Sequence, residues 1–318
     1  MSIGEAMKPR ILQAESLSPY FDSALEQAFE VHPLWRQGDP VGYLARNGHA
    51  IEGLATSAQV GAPSGLIEAL PALKVISSRG IGFDKIDLDL ARRRGIQVSG
   101  TPGVLTDCVA DLAFGLLIDA ARRISASDRF VRSGRWTAGS FPLTTHVSGK
   151  RLGIAGLGEI GRAVAKRAAG FSMEVRYTNR KPAEGVPFAF EPDLEELARW
   201  ADFLVVAVPG GPSTRHLVSR VVLEALGPRG FLVNISRGTV VDQEALIRAL
   251  ADGVIAGAGL DVFDGEPDVP GELLRRDNVV LTPHVGSGTV ETRKAMEDLV
   301  LANLTAFFRT GKVLTPAS

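Results

Sequence analysis

The amino-acid sequence predicts an α/β protein built as two doubly wound parallel-sheet domains. Three observations lead there. Short apolar runs of strand length alternate with helical stretches along most of the chain. Leu152 to Thr178 reads strand, glycine turn, helix, strand, with Gly156, Gly158 and Gly161 in G-x-G-x-x-G spacing. The 318 residues also exceed what one hydrophobic core usually organises, about 250–300 residues.

The first hundred residues have the alternation of a small sheet domain. Arg10–Ala14, Ile51–Thr56, Lys74–Ser77 and Ile96–Ser99 read as strands. Tyr20–Phe29, a stretch about Leu66–Leu70 after a turn from Gly61 to Gly65, and Leu88–Arg94 read as helices. The turn Gly80-Ile81-Gly82 has two readings: bare N–H groups that hold a substrate carboxylate, or a plain strand-to-helix connection. Thr101-Pro102-Gly103 reads as a crossover between domains. A long helix is expected from Thr106 to Ser133, with Ala110, Phe114, Leu117 and Ala121 along one side and Gly134-Arg135-Trp136 ending it. Residues 137–148 lack periodicity and read as an arm; such excursions often pack on a second subunit, so a homodimer is expected.

The glycine turn carries the clearest chemistry. Gly156 permits the tight turn, Gly158 lets backbone approach a pyrophosphate, and Gly161 lets the helix pack closely on the strand. Ile160, Val164 and Ala168 recur four apart, on one face of that helix. Its first N–H groups are unpaired and carry partial positive charge, which suits a phosphate. The NAD form of the motif ends its second strand with a carboxylate for the ribose 2′-hydroxyl. This chain instead has Asn179-Arg180-Lys181 after Tyr177-Thr178. A guanidinium and an ammonium suit a 2′-phosphate, so NADP(H) is expected over NAD(H). The alternative is a solvated turn with two ordinary basic residues.

Beyond the turn, Leu194–Trp200, Val221–Leu226 and Asp242–Asp252 read as helices, and Phe203–Val208, Phe231–Ile235, Ala256–Phe263 and Val279–Leu281 as strands. Ligands in open α/β sheets sit outside the carboxyl ends of the strands. Arg237, Asp261 and His284 fall at or just past strand ends, and Glu266 follows Asp261 in the next loop, so all four can face one cleft. A final helix from Thr289 to Arg309 is long enough to return to the first domain and make it discontinuous. The expected domains are 1–100 with 285–318 for substrate, and 101–284 for the dinucleotide.

These residue types suit hydride transfer to a 2-keto acid, which needs the carboxylate held, the carbonyl polarised and its oxygen protonated. Arg237 supplies permanent charge and several donors. His284 supplies the proton, since imidazole titrates near neutrality. Glu266 beside it favours the imidazolium and fixes the ring. Asp261 orients either the nicotinamide carboxamide or the histidine. Singly, each has a structural reading: an ion pair for Arg237, a surface charge for Glu266, a helix cap for His284. Their convergence downstream of a nucleotide fingerprint favours the catalytic one. His32, His49, His146 and His216 lack such company, and Cys108, early in an apolar helix, reads as core packing.

Composition excludes other classes. The chain is 45% hydrophobic and 22% charged with a formal net charge of −1, which gives no reason to expect nucleic-acid or membrane-surface partners. No run of about 18 apolar residues or N-terminal leader pattern stands out. A single cysteine rules out intrachain disulfides and suggests a reducing compartment, so a cytoplasmic location is expected. No metal is expected.

The stretches GLGEIGRAVAKRA, NISRGTVVDQEAL, GAGLDVFDGEP and LTPHVGSGTVETR resemble the D-isomer-specific 2-hydroxyacid dehydrogenases, as do SSRGIGFDKIDL and TPGVLTDCVADLAFGLL upstream. Within that family the chain looks most like the NADPH-dependent hydroxyphenylpyruvate, hydroxypyruvate and glyoxylate reductases. The resemblance implies two Rossmann-like domains with a cleft between them, the first built from both chain ends. It implies Arg237, Glu266 and His284 as the catalytic set, with His284 the acid in reduction and a D product. It places substrate against Ile81, Gly82, Arg237, His284 and Ser287, and favours the carboxylate-binding reading of the Ile81–Gly82 amides. Expected cofactor contacts are Thr106, Gly156, Gly158, Glu159, Ile160, Gly161, Asn179, Arg180, Lys181, Val208, Pro209, Thr214, Ile235, Ser236, Arg237, Asp261, His284 and Gly286. One departure stands out: some glyoxylate reductases carry a second tryptophan close after the one matching Trp136, restricting the partner's pocket, and this chain has Gly139 in that neighbourhood. A bulkier 2-keto acid is therefore expected to fit. The same fold also serves nucleotide-sensing corepressors, which leaves a sensing scaffold as the alternative function.

Overall fold

The computed structural model describes residues 8–317. The first seven residues, over which no leader pattern was expected, lie outside them. The chain divides into two compact units, residues 1–105 with 289–318, and residues 106–288. The divisions fall at Leu105/Thr106 and Gly288/Thr289, four or five residues beyond the expected boundaries at 100 and 284.

The first unit carries β1 (Arg10–Gln13), α1 (Pro19–Ala28), β2 (Glu30–Pro33), α2 (Pro40–Asn47), β3 (Gly53–Ser57), α3 (Ser64–Glu68), β4 (Val75–Arg79), α4 (Leu88–Arg93) and β5 (Gln97–Ser99). The strands form one parallel sheet in the order β2-β1-β3-β4-β5, a doubly wound arrangement. Side chains alternate across it as the two-residue period demands. Leu12, Leu54 and Ile76 join the core on one face with Ile67 and Leu70. Ile11, Ala55 and Val75 join the other with Phe21 and Leu25 of α1 and with Val300 and Leu304 of the long helix Val290–Thr310. That helix makes the unit discontinuous in sequence. β2 and α2 were not expected; the signal for α2 was Asp39-Pro40, an N-cap that accepts from the Gly42 N–H at 2.9 Å with proline in the first turn.

The second unit starts with α5 (Thr106–Arg122) and α6 (Ile124–Arg132). The sequence suggested one helix from Thr106 to Ser133; the structure breaks it at Arg123, whose φ is +53°. Asp119 explains the break. Its carboxylate accepts from the Ser125 N–H at 2.8 Å and from the Ser125 hydroxyl, satisfying donors that open α6. Then come β6 (Arg151–Ala155), α7 (Glu159–Ala169), β7 (Glu174–Thr178), β8 (Ala189–Phe190), α8 (Leu194–Trp200), β9 (Phe203–Val206), α9 (Arg220–Leu226), β10 (Phe231–Asn234), α10 (Gln243–Ala251), β11 (Gly257–Leu260), α11 (Gly271–Leu274) and β12 (Val279–Leu281). All seven strands are parallel, in the order β12-β11-β10-β9-β6-β7-β8. The chain order reverses at β6, so the crevice between the carboxyl ends of β6 and β9 is the topological switch point. Residues 156–161 leave β6 at that place. Apolar strands β9 and β10 are wholly buried, as two-sided coverage requires. No described helix is long and apolar enough to cross a membrane.

Candidate active site

The glycine turn has the expected division of labour. Gly156 sits at φ +99°, and a Cβ there would stand 2.8 Å from the Ala207 backbone. A Cβ on Gly161 would meet the Gly156 carbonyl oxygen at 2.1 Å, so α7 can lie against the turn only with glycine there. Gly158 differs: nothing lies within 4 Å of where its Cβ would be, and it is exposed at the start of α7 with no side-chain cap. Room in front of uncapped amides fits an anionic diphosphate. Asn179, at the end of β7, accepts from the Leu157 N–H at 2.8 Å, so its oxygen orders the turn and only its amide NH2 remains for a ligand. Arg180 and Lys181 are exposed beside it, and among the described residues neither side chain has a hydrogen bond or ion pair. Thr106, at the first residue of α5, donates to the Glu159 carboxylate at 3.2 Å, which joins two expected contacts that lie far apart in sequence.

The other expected cofactor positions line the loops after β9 and β10. The Thr214 hydroxyl donates to the Pro209 carbonyl at 2.7 Å and closes the loop after β9. The Ser236 hydroxyl donates to the Val208 carbonyl and ties that loop to the next. Ile235 is buried, and Val208 is half-buried. Ile160 and Ser287 are partly exposed. In the first unit, Ile81 is 40% exposed just beyond β4, where Gly80 donates to the Thr101 hydroxyl at 3.0 Å; Gly82 follows, half-buried.

Arg237, Glu266 and His284 belong to one unit and to the loops after three successive strands. Arg237 follows β10. Asn234, fully inside the sheet, shapes its turn: the amide donates to the Arg237 carbonyl at 3.0 Å and its oxygen accepts from the Ser236 N–H at 3.1 Å. Sequence reasoning passed over Asn234; a polar residue closing a buried strand was the available signal. The Arg237 guanidinium donates to the Ser236 carbonyl at 2.8 Å and packs its stem over Gly210, where a Cβ would come within 2.5 Å of Cγ.

His284 has a φ of +52°, rare for a residue with a Cβ, and its N–H donates to the Asp261 carbonyl at 2.8 Å. Both Asp261 carboxylate oxygens are committed to the same loop. They accept from the Thr282 hydroxyl at 2.6 Å and from the Val285 and Gly286 N–H groups, each at 2.8 Å. Burial pushes the Asp261 carboxyl up from its ordinary value, and these bonds offset only part of that. Of the two orienting roles weighed for Asp261, the geometry agrees with fixing the histidine loop.

His284 Nδ1 and Glu266 Oε2 lie 2.8 Å apart, with both side chains about a quarter exposed. The other Glu266 oxygen accepts from the Phe263 N–H at 3.0 Å. Burial alone would raise the Glu266 pKa; the His284 and Phe263 hydrogen bonds and the charges of His284 and Arg237 outweigh it, and the net shift is downward. Glu266 is therefore ionised at neutral pH. With Nδ1 given to Glu266, Nε2 is the ring nitrogen left for chemistry. Among the described residues no His, Cys, Asp and Glu group could hold a metal ion.

A parallel sheet of this order, with a glycine turn at its switch point and an arginine, a histidine–glutamate pair and an aspartate beyond its last strands, defines a dinucleotide-dependent oxidoreductase. Residues 114–286 match the family model of the D-isomer specific 2-hydroxyacid dehydrogenase NAD binding domain. The chain is 46% identical to the hydroxyphenylpyruvate reductase of Plectranthus scutellarioides, over 96% of this chain and 98% of that one. It is 47% identical to glyoxylate/hydroxypyruvate reductase A of Arabidopsis thaliana over the same shares. Its structure matches the NADPH-dependent glyoxylate/hydroxypyruvate reductase of Sinorhizobium meliloti in complex with NADP and malonate, with a TM-score of 0.90, 42% identity, and 97% and 96% of the two chains covered. The chain belongs to the D-isomer-specific 2-hydroxyacid dehydrogenase family and is an oxidoreductase. Relatives named for reducing keto acids support the enzyme reading; the sensing-scaffold alternative has no such support.

Proposed function

We propose that this protein reduces 2-keto acids to D-2-hydroxy acids with NADPH. The observation that carries the reading is the His284–Glu266 pair beyond β12 and β11, with Arg237 beyond the adjacent β10 and its charge acting on Glu266. Arg237 holds the substrate carboxylate and draws electron density toward the carbonyl oxygen. Glu266, ionised, holds Nδ1 and favours the imidazolium. His284 Nε2 then gives its proton to the carbonyl oxygen as that oxygen gains charge. When bound, the reduced nicotinamide supplies the hydride to the keto carbon. The Ile81 and Gly82 amides are proposed as further donors to the substrate carboxylate. In this reading residues 1–105 with 289–318 bind substrate, residues 106–288 bind the dinucleotide, and the single cysteine is in keeping with the cytoplasm.

The NADPH preference rests on Arg180 and Lys181, which stand exposed, with no side-chain partner among the described residues, where an NAD enzyme of this fold would place a carboxylate. The S. meliloti reductase matched above was solved with NADP, which supports it. Arg180→Ala is expected to weaken NADPH about tenfold, as loss of a charge-assisted bond would, and to leave NADH little changed. Comparing kcat/KM for the two coenzymes checks this; equal losses would argue against a 2′-phosphate contact.

A homodimer is part of the proposal. Val131 in α6, Trp136 after it and Leu143 in the arm are 52%, 68% and 101% exposed, and exposed apolar side chains so close in sequence support a subunit contact. Sedimentation should give twice the chain mass at micromolar concentration; a monomer would remove this part. Gly139 stands in the neighbourhood where some glyoxylate reductases carry a second tryptophan, and on that ground the proposed substrate class extends to bulkier acids. The test of function is NADPH oxidation with glyoxylate, hydroxypyruvate, hydroxyphenylpyruvate and 2-ketogluconate. Turnover with one or more is expected, and turnover with none would overturn the reading.

A further inference from the structure

We infer that Gln243 is a positioning residue for the acid–base pair, acting through the backbone of the loop that carries Glu266. The inference rests on the reading of Glu266 and His284 given above. Gln243 is the first residue of α10, and Asp242, the N-cap, accepts from the Ala245 N–H at 2.9 Å and fixes where that helix begins. From there the Gln243 side chain makes a reciprocal pair of bonds with one residue. Its amide donates to the Asp264 carbonyl at 3.1 Å, and its oxygen accepts from the Asp264 N–H at 3.0 Å. A side-chain amide pairing both backbone groups of a loop residue substitutes for a strand neighbour.

The position of that residue gives the pairing its consequence. Asp264 follows Phe263, whose N–H holds one oxygen of Glu266, and Glu266 holds His284 Nδ1 with the other. Gln243 thus fixes the Phe263–Asp264 peptide, the peptide's neighbour fixes the carboxylate, and the carboxylate fixes the imidazole. The same peptide lies directly on Gly238, the residue after Arg237. A Cβ on Gly238 would fall 1.8 Å from the Phe263 carbonyl carbon and 2.1 Å from the Asp264 nitrogen. Contact with Gly238 limits the loop on one side, and the Gln243 pair holds it there. The charged groups around the pair are Arg237 from the β10 loop and Asp261 from the β11 end, with Asp264 itself facing Arg215 at 3.8 Å. None of these supplies the two neutral backbone bonds that Gln243 makes.

If the loop loosens, Glu266 spends less time against Nδ1 and favours the imidazolium less. Gln243→Met keeps the length of the side chain and removes both bonds. In protein labelled with 15N-histidine and free of ligand, the titration midpoint of His284, assigned by its loss in His284→Gln, should fall by about half a pH unit in Gln243→Met. Glu266→Gln should move it further in the same direction. In turnover, the alkaline limb of kcat/KM should shift down by the same amount. A residue that only supported the fold would lower the melting temperature and leave the midpoint where it is. Gln243→Ala, which adds no bulk at the helix start, serves as the second variant. An unchanged or raised His284 midpoint in a folded variant overturns the inference, as does loss of the fold in both variants. The ring titration needs neither coenzyme nor substrate, so a protein inactive toward every keto acid would overturn the reductase reading and leave this result to stand or fall separately.

Discussion

Replacing His284 with alanine is expected to lower kcat for keto-acid reduction by about 10²–10⁴-fold, the usual worth of a positioned general acid, with NADPH affinity essentially unchanged. The reason is geometric. His284 is held on three sides: Asp261 bonds its backbone and the loop after it, Glu266 takes Nδ1, and the left-handed backbone at φ +52° turns the ring. All of that ordering leaves Nε2 as the ring nitrogen without an assigned task. The diphosphate-binding turn is made by Gly156, Gly158 and Gly161, none of which contacts His284 in these bonds, so binding and proton transfer separate. Fluorescence titration of NADPH alongside steady-state kinetics checks the split. Undiminished turnover in His284→Ala would remove the acid from the mechanism.

Arg237→Ala is expected to have the next largest effect, a loss of about 10²–10³ in kcat/KM, comparable to removing a preorganised donor from a developing oxyanion. Both KM and kcat should change, because the guanidinium is assigned to the substrate carboxylate in the ground state and to the carbonyl oxygen as charge builds on it. Arg237→Lys should recover only part of the loss, since an ammonium keeps the charge without the planar fork. The Asn234 bonds shape the turn through its backbone, so either variant should leave that turn in place. A variant that raised KM alone, with kcat preserved, would confine Arg237 to binding and exclude carbonyl polarisation.

The parallel sheets were legible because each rests on local signals that nothing distant overrides. The strands that start at Phe203 and Phe231 are only four residues each, but they open on three consecutive apolar residues and are buried at every position, and the fingerprint glycines do their work within six residues of one another. The break in the helix after Thr106 was not legible, because periodicity continues through Arg123 and the cause is one side chain, Asp119, reaching forward to Ser125. β2 escaped notice because Glu30-Val31-His32-Pro33 holds a single apolar aliphatic residue, ends in proline and has no buried position, so it shows no apolar run. At the site, the sequence pointed to Arg237, Glu266 and His284 through their places after strands. Asn234 and Gln243 were passed over because their importance lies in backbone groups they bond, and a residue's partner in a folded loop leaves no trace in spacing. Asn179 shows the reverse: its place after β7 marked it for the coenzyme, yet its oxygen orders the glycine turn itself.

The most direct test is a crystal structure of the protein with NADP+ and a non-reducible 2-keto acid mimic such as oxamate. His284 Nε2 and an Arg237 nitrogen should both lie about 2.7–3.2 Å from the oxygen that stands for the keto carbonyl, over the nicotinamide ring. A mimic bound with that oxygen facing neither side chain, or a coenzyme diphosphate lodged away from Gly158, would contradict the assignment.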